Sequence, residues 1–265
     1  MVVVAVRDPA RLVLIGADSG RVLRRVPIAS PPRHLELAGE RGPVLVPAEP
    51  VDQLIEVSLP SATVRSIAVG VHPHDAVAAA GRVFVGNEFG RSVSAVSGRR
   101  VIAQIEGFMQ PGGLAAAGGE VAVVDVRADT ITLVDAHSLR VLGSAPAGEG
   151  PTHVVAGSGR LFVADTRGNA LLAYATRPKL HLVGRLTLPG TPYGLATDPV
   201  HNRLWVTLTA TNELVEVVIG GQPLRRLASY PTGRQPNTVA IDPRDGRVFV
   251  ADAGAGVVQA IDPRR

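Results

Sequence analysis

The side chains best suited to chemistry recur at one turn of a repeating pattern. His34, His74 and His153 each follow, within two residues, a proline that recurs along the chain. An imidazole works as an acid or a base near neutral pH, and it also binds transition metals. We therefore predict that His74 and His153 are catalytic residues. The competing interpretation is that these histidines only satisfy backbone carbonyl groups near the start of a strand.

Acidic residues recur at a second turn, where the second strand of each repeat is expected to end. Glu88, Asp125, Asp165 and Asp252 stand there, and we predict them as metal ligands. Carboxylates favour Ca²⁺ or Mg²⁺ and imidazole favours Zn²⁺, so the predicted cofactor is one of these divalent cations. An aspartate at a strand end also often accepts hydrogen bonds from backbone N–H groups of the next turn. Both interpretations stay open for these residues.

Other polar residues beside the recurring proline are suited to ligand binding. Arg33 offers a charge to an anionic group, and Tyr193 offers a ring for stacking or an O–H donor. In the segment His72-Pro-His74, the alternation of an extended chain places both imidazoles on one side. The predicted ligand-binding residues are Arg33, His34, Asp75, Thr152, Tyr193 and Asn237.

These residues belong to a repeat of roughly 40 residues. The proline stands before an apolar stretch at Pro32, Pro73, Pro111, Pro151, Pro192 and Pro236. A second apolar stretch follows, as in Arg82-Val-Phe-Val-Gly-Asn and Arg160-Leu-Phe-Val-Ala-Asp. Two further short stretches complete each unit, and none has the 3.6-residue period of a helix. Four antiparallel strands per repeat are typical of a β-propeller blade, so the predicted fold class is all-β.

Residues 1–265 are predicted to form a single β-propeller domain. Each terminal segment supplies three strands and five full units lie between them, which gives 26 strands. Seven blades are favoured, with incomplete blades at the ends. Six blades are the alternative, in which the strand at 21–28 completes the last blade. In either arrangement the segment entering strand one and the turn after strand two open on one face, at the mouth of the channel, and that face carries the candidate residues.

Composition excludes several classes of function. The chain has no cysteine, which excludes disulfides and thiolate metal sites. Its net charge of +4 comes with scattered arginines, and aromatic residues make up only 3% of the chain. A nucleic-acid surface needs clustered basic residues and aromatic rings for stacking, so no nucleic-acid partner is expected. No apolar run approaches the length of a membrane span.

Location and assembly are predicted from the same features. The apolar run from Met1 to Val6 ends at Arg7, far short of the core of a signal peptide. The sequence as given therefore predicts a cytoplasmic protein, or a periplasmic or secreted one if a leader has been removed. We expect a monomer whose partner is a small molecule or a protein held at the channel mouth.

Several phrases of the chain resemble YVTN-type β-propeller repeats, which are also found in periplasmic YncE-like proteins. The phrases are Gly150-Pro-Thr-His-Val-Val-Ala, Arg160-Leu-Phe-Val-Ala-Asp and Thr232-Gly-Arg-Gln-Pro-Asn-Thr-Val-Ala-Ile-Asp-Pro. The resemblance covers nearly the whole chain. It implies the propeller fold, but such repeats serve binding proteins, lactonase-like hydrolases and streptogramin B lyases alike. The function therefore has to be argued from the site.

Two hypotheses of function follow. In the first, the chain is a non-enzymatic propeller that binds a small molecule, peptide or protein through its channel-mouth face. In the second, it is a metal-dependent lyase or lactonase-like hydrolase, in which a cation polarises a carbonyl and histidine acts as acid or base. The missing nucleophile elbow, phosphate-binding loop and zinc-protease motif favour the first. The variation among residues at the channel-facing turns favours the second.

Overall fold

The short apolar stretches of the sequence form strands throughout the chain. The computed structural model describes residues 1–39, 41–221 and 223–263. In these residues there are 26 β-strands, and the only helical element among them is a 3-10 turn at Glu49–Val51. No helix in this part of the chain is long and apolar enough to span a membrane.

The strands form seven antiparallel sheets that follow one another along the chain. The first sheet contains β1 (Val2–Val6), β2 (Arg11–Ile15) and β3 (Val22–Pro27). The second contains β4 (Glu36–Leu37), β5 (Val44–Ala48), β6 (Gln53–Val57) and β7 (Val64–Ala68). The third contains β8 (Pro73–Ala79), β9 (Arg82–Asn87), β10 (Ser92–Ser97) and β11 (Arg100–Glu106). The fourth contains β12 (Pro111–Ala117), β13 (Glu120–Asp125), β14 (Thr130–Asp135) and β15 (Val141–Pro146).

The later sheets repeat the same order of strands. The fifth contains β16 (Pro151–Gly157), β17 (Arg160–Asp165), β18 (Ala170–Ala175) and β19 (His181–Thr187). The sixth contains β20 (Pro192–Asp198), β21 (Arg203–Leu208), β22 (Glu213–Val218) and β23 (Arg225–Pro231). The seventh contains β24 (Pro236–Ile241), β25 (Val248–Asp252) and β26 (Val257–Ile261).

This strand order confirms the predicted all-β fold and the favoured number of blades. Five sheets have four strands in chain order, and the first and the last have three, which makes seven blades of a β-propeller in the described residues. The six-blade alternative is wrong, because it requires the strand near residues 21–28 to complete the last blade. That strand, β3, instead pairs with β2 in the first sheet, with Val26 opposite Leu12.

The chain divides into two compact units. The first unit is Met1–Ala128 with Val134–Leu142, and the second is Asp129–Leu133 with Gly143–Arg265. The first three sheets lie in the first unit, and the last three lie in the second. A single domain over residues 1–265 stays a prediction.

Aliphatic side chains fill the core of each unit, as the low aromatic content requires. In the first unit, Leu12 and Val46 belong to one buried cluster, and Leu45 and Val85 belong to the next. In the second unit, Phe162 packs with Val206, and Trp205 packs with Val250. Because each cluster joins strands of neighbouring sheets, the sheets pack face to face. The central strands must therefore be apolar on both faces, as in β13, which is buried along its whole length.

Candidate metal centre

The strand register brings the two candidate turns of each repeat to one edge of the sheet. In the third sheet, Pro73 lies opposite Asn87, so the start of β8 meets the end of β9. The same pairing joins Pro111 to Asp125, Pro151 to Asp165, Pro192 to Leu208 and Pro236 to Asp252. The predicted juxtaposition of the two turns is thus confirmed in these five sheets.

A break in register follows the recurring proline in each of these sheets. In the third sheet, Pro73 and Asp75 pair with consecutive residues of β9, which leaves His74 as the extra residue of a bulge. Thr152, Tyr193 and Asn237 fall within the corresponding breaks. A bulge removes a residue from the ladder and re-aims its side chain. Four of the predicted site residues therefore lie at breaks in the regular pairing of strands one and two.

The position of His72, two residues before His74, depends on a different backbone feature. His72 precedes β8 and has a φ of +58°, in the left-handed region that side-chain-bearing residues seldom adopt. Its N–H donates to Oδ1 of Asp52 at 2.8 Å, which ties it to the end of the 3-10 turn Glu49–Val51. Strained backbone of this kind often accompanies functional sites. His72 is therefore not on an extended segment, although its ring reaches the same carboxylates as His74.

Glu49, His74 and Glu88 form a group in the first unit that could hold a metal ion. Among the described residues, these three are the one group of His, Asp and Glu side chains whose ligand atoms all lie within 4.8 Å of one another. Nδ1 of His74 is 2.8 Å from Oε1 of Glu49 and 3.5 Å from Oε2 of Glu88. All three side chains are buried. The predictions for His74 and Glu88 thus fall on residues that the structure brings together.

Two more imidazoles extend this cluster. On its partly exposed side, Nδ1 of His72 lies 3.2 Å from Oε2 of Glu88, and Nε2 lies 3.7 Å from Oε2 of Glu49. Nε2 of His34 lies 3.2 Å from Nε2 of His74. His74 therefore presents one nitrogen to the two carboxylates and the other nitrogen to His34.

The two carboxylates are held by polar partners on their outer sides. Burial alone would raise the pKa of Glu49, but the hydrogen bond with His74 and the charges of His74, Arg33 and His72 bring it below its ordinary value. Nε of Arg33 lies 3.3 Å from Oε2 of Glu49. On the other side, Nε2 of Gln110 donates to Oε1 of Glu88 at 2.6 Å. Glu49 therefore stays ionised, and Oε2 of Glu88 is left to face the imidazoles.

The donor set fits a divalent cation. Carboxylate oxygens suit Mg²⁺, and a mixture of imidazole and carboxylate is a common ligand set for catalytic Zn²⁺. Outer partners such as Gln110 and His34 are the kind of group that orients metal ligands. Glu49 was not among the predicted ligands, although it follows the second strand of its sheet as Glu88 follows β9. That shared position is the sequence signal that could have found it.

Two of the three predicted aspartate ligands accept backbone hydrogen bonds in the described structure. Oδ1 of Asp125 accepts hydrogen bonds from the N–H groups of Gln110, Arg127 and Ala128, and its Oδ2 accepts one from Met109. Oδ1 of Asp165 accepts from the N–H groups of Glu149, Gly150 and Gly168. Burial raises the pKa of Asp252, whose two carboxylate oxygens are buried and accept no hydrogen bond from the described residues. A metal-binding role for these three stays a prediction, and the hydrogen bonds of Asp125 and Asp165 favour the structural interpretation.

Asp75 also serves the backbone in this structure. Its Oδ2 accepts the N–H of Leu114 at 2.8 Å, which links β8 to β12, and its Oδ1 accepts the N–H of Ala76 at 2.9 Å. Burial raises the pKa of Asp75 to about 6, although these two hydrogen bonds and the charge of His74 oppose the shift. Ligand binding by Asp75 stays a prediction.

We expect Asp75→Asn to change how the stability of the protein depends on pH. The raised pKa means that the folded state binds more protons than the unfolded state between about pH 4 and pH 6. The contribution of Asp75 to stability therefore falls as the pH rises through this window. Urea unfolding at pH 4.5 and pH 7 measures this dependence. Between the two pH values, the free energy of unfolding of Asp75→Asn should fall less, or rise more, than that of the wild type. Equal pH dependence of the free energy of unfolding in the two proteins would contradict a raised pKa of Asp75.

The candidate residues of the second unit form no comparable cluster in the part of the chain described. The rings of His153 and Tyr193 meet edge to face, with centroids 4.4 Å apart. Oγ1 of Thr152 lies 2.6 Å from Oγ1 of Thr166. A concavity of about 370 Å³ is lined by Thr209, Ala210, Asn212, Arg234 and Gln235, which include neither a carboxylate nor an imidazole. Catalysis by His153 and ligand binding by Thr152, Tyr193 and Asn237 stay predictions.

Solved structures similar to this chain share its fold at low sequence identity. Hydrazine synthase of Kuenenia stuttgartiensis matches with a TM-score of 0.83 and 15% identity, over 95% of this chain and 89% of that one. Virginiamycin B lyase of Staphylococcus aureus matches with a TM-score of 0.75 and 13% identity, over 94% of this chain and 90% of that one. A Bacteroides uniformis protein assigned as a 6-phosphogluconolactonase matches with a TM-score of 0.75 and 14% identity, over 95% of this chain and 87% of that one. No protein-family model and no curated protein sequence matches the chain. The similarity establishes the propeller fold alone.

Proposed function

We propose that this chain is a divalent-cation-dependent enzyme acting on a carbonyl compound, as a lyase or a lactonase-like hydrolase. The observation that carries the proposal is the convergence of Glu49, His74 and Glu88, with their ligand atoms within 4.8 Å of one another and their side chains buried. Glu49, His74 and Glu88 are assigned as the residues that hold the cation.

The electrostatics of the cluster support a bound cation. Two buried carboxylates that approach the same imidazole nitrogen repel each other, and burying them is costly unless positive charge compensates them. Arg33 lies 3.3 Å from Glu49, and its side chain is 53% exposed. Gln110, the polar partner of Glu88, is neutral. A divalent cation between the carboxylates would add to the positive charge that His74, Arg33 and His72 bring to Glu49, and it would also polarise a carbonyl oxygen of the substrate.

The three histidines receive different roles under this proposal. His74 is buried and faces both carboxylates through Nδ1, so it suits a metal ligand better than the catalytic role predicted for it. Nε2 of His74 faces His34, which would fix the orientation and tautomer of the ligand ring. His72 is partly exposed and touches both carboxylates, so it is the better candidate for the group that moves a proton.

The similarity to virginiamycin B lyase and to the assigned 6-phosphogluconolactonase is in keeping with this class of reaction. Fold likeness does not carry function by itself, because propellers host many activities. The proposal therefore depends on the cluster, and the neighbours only guide the choice of compounds to test.

Metal content and turnover of lactones and cyclic esters test the proposal together. Protein loaded with Mg²⁺, Ca²⁺ or Zn²⁺ should bind one cation per chain and open at least one lactone or ester in a panel, and a chelator should remove the activity. His72→Gln should lower kcat by about 100-fold or more while it still binds the cation, because it removes the acid–base group. A protein that binds none of the three cations would overturn the proposal and favour the binding-protein hypothesis for the same face.

A further inference from the structure

An apolar rim borders the metal cluster on the side of His72. Phe89 directly follows Glu88, and its side chain is 62% exposed. Its ring lies on the ring of His72, with centroids 4.1 Å apart and planes inclined by 30°. Val71, on the other side of His72 in the chain, is 53% exposed. Phe89 is the one exposed phenylalanine of the five in the sequence, since the other four are buried, and it lies beside the cluster.

The backbone holds this rim in place. The N–H of Gly90 donates to the carbonyl of Val71 at 3.0 Å, and the N–H of Glu88 donates to the carbonyl of His72 at 2.9 Å. The turn that carries Glu88 and Phe89 is thus tied to the segment that carries Val71 and His72. A side chain added at Gly90 would press on the backbone N of Val71, at 3.0 Å, so the two segments are in close contact. These contacts hold the backbone of Phe89 next to the segment that carries His72.

We propose that Phe89 and Val71 bind an aromatic or branched apolar substituent next to the reacting carbonyl, so that the substrate class is a hydrophobic acyl compound. This inference rests on the proposed function. The two ring nitrogens of His72 approach Glu49 and Glu88, and the same ring stacks against that of Phe89. A carbonyl group at the cluster would consequently have its substituent within one ring's width of Phe89. Stacking on an aromatic ring adds to the ordinary gain from burying apolar surface.

The polarity of the rim argues against a strongly anionic substituent at this position. Phe89 and Val71 offer no hydrogen-bond donor from their side chains, so a phosphate there would lose water without a replacement. Arg33 stands against Glu49, at the other carboxylate of the cluster. The two sides of the cluster therefore differ in chemistry, and the His72 side is the apolar one.

Two metal-chelating probes of different size test the inference. Acetohydroxamate and phenylacetohydroxamate bind a metal through the same group and differ only in the phenyl ring. Binding of each to the Zn²⁺-loaded protein should show about tenfold tighter binding of the phenyl compound. Phe89→Ala should reduce this preference to about twofold, and Phe89→Tyr should keep it. Leu23→Ala, which removes an equally exposed apolar side chain on β3, serves as the control and should leave the preference unchanged.

The outcomes separate this inference from the proposed function. Binding of Mg²⁺, Ca²⁺ and Zn²⁺ by the wild type is measured first by titration, and absence of a site for all three overturns both proposals. If Zn²⁺ and acetohydroxamate bind but the phenyl ring adds nothing, the hydrophobic substrate class is overturned and the metal centre stands. A phenyl preference that survives in Phe89→Ala also overturns the assignment, because the ring would then bind elsewhere. A preference lost in Phe89→Ala and kept in Phe89→Tyr supports it.

Discussion

Glu88→Gln is expected to weaken Zn²⁺ binding by about 100-fold or more, since even the loss of a group that only orients a ligand costs 10–100-fold. Oε2 of Glu88 lies 3.5 Å from Nδ1 of His74 and 3.2 Å from Nδ1 of His72. The substitution keeps the shape of the side chain and an oxygen for the hydrogen bond from Gln110. It removes one of the two negative charges that would hold the cation. Calorimetric titration of metal-free protein measures the change directly.

Glu106→Gln is the matched control for this experiment. Glu106 ends β11 in the same sheet as Glu88 and has an exposed side chain, so the same charge is lost away from the cluster. Its Zn²⁺ affinity should equal that of the wild type, and both variants should unfold at similar temperatures without metal. Equal Zn²⁺ affinity in Glu88→Gln and Glu106→Gln would exclude Glu88 as a ligand.

Asp165→Ala is expected to destabilise the metal-free protein by about 3–5 kcal/mol, because buried N–H groups that lose their acceptor cost about 1–3 kcal/mol each. Oδ1 of Asp165 accepts three backbone N–H groups at 2.9–3.1 Å, and the side chain is fully buried. Oδ2 lies 3.5 Å from NH1 of Arg185. Thermal and urea unfolding in the presence of a chelator measure the loss. A metal ligand, in contrast, would show its main effect only with metal present.

Three further variants serve as controls for this prediction. Glu149→Ala removes an exposed carboxylate but keeps the backbone N–H that Asp165 accepts, so it should change stability by less than about 0.5 kcal/mol. Gly168→Ala should destabilise strongly, because its new Cβ would overlap the carboxylate of Asp165. Gly143→Ala, where the new Cβ meets nothing within 4 Å, should be close to neutral. Wild-type stability in Asp165→Ala would exclude the structural role.

Glu88 and Asp165 both stand near the end of the second strand of their sheets. Relative to the recurring proline, however, Glu88 lies one position further along the chain than Asp165. Asp125 and Asp165 pair with the recurring proline, and in the third sheet the residue that does so is Asn87, not Glu88. Asn87 takes the structural role, since its Oδ1 accepts the N–H of Gly70 at 3.1 Å. Glu88 is therefore one residue further into the turn, where its longer side chain reaches the histidines instead of the local backbone.

The number of blades and the sheet edge that carries the site could be predicted from the sequence. Apolar stretches of strand length, separated by turn residues, encode local conformation, so strand number and strand order were readable from them. The recurring proline marked the start of strand one in each of the five sheets from β8 onward, as its pairing with the end of strand two shows. These features depend on residues close together in the chain.

Which of the candidate residues come into contact could not be predicted, because it depends on packing between sheets. Glu49 comes from the turn after β5, while His74 and Glu88 come from the next sheet, so their contact depends on how the second and third sheets pack. The left-handed backbone of His72 depends on a hydrogen bond to Asp52, which likewise belongs to the second sheet's turn. A periodic pattern predicts which face of its own sheet a residue occupies. It does not predict side-chain distances between sheets, because packing of the aliphatic core sets those distances.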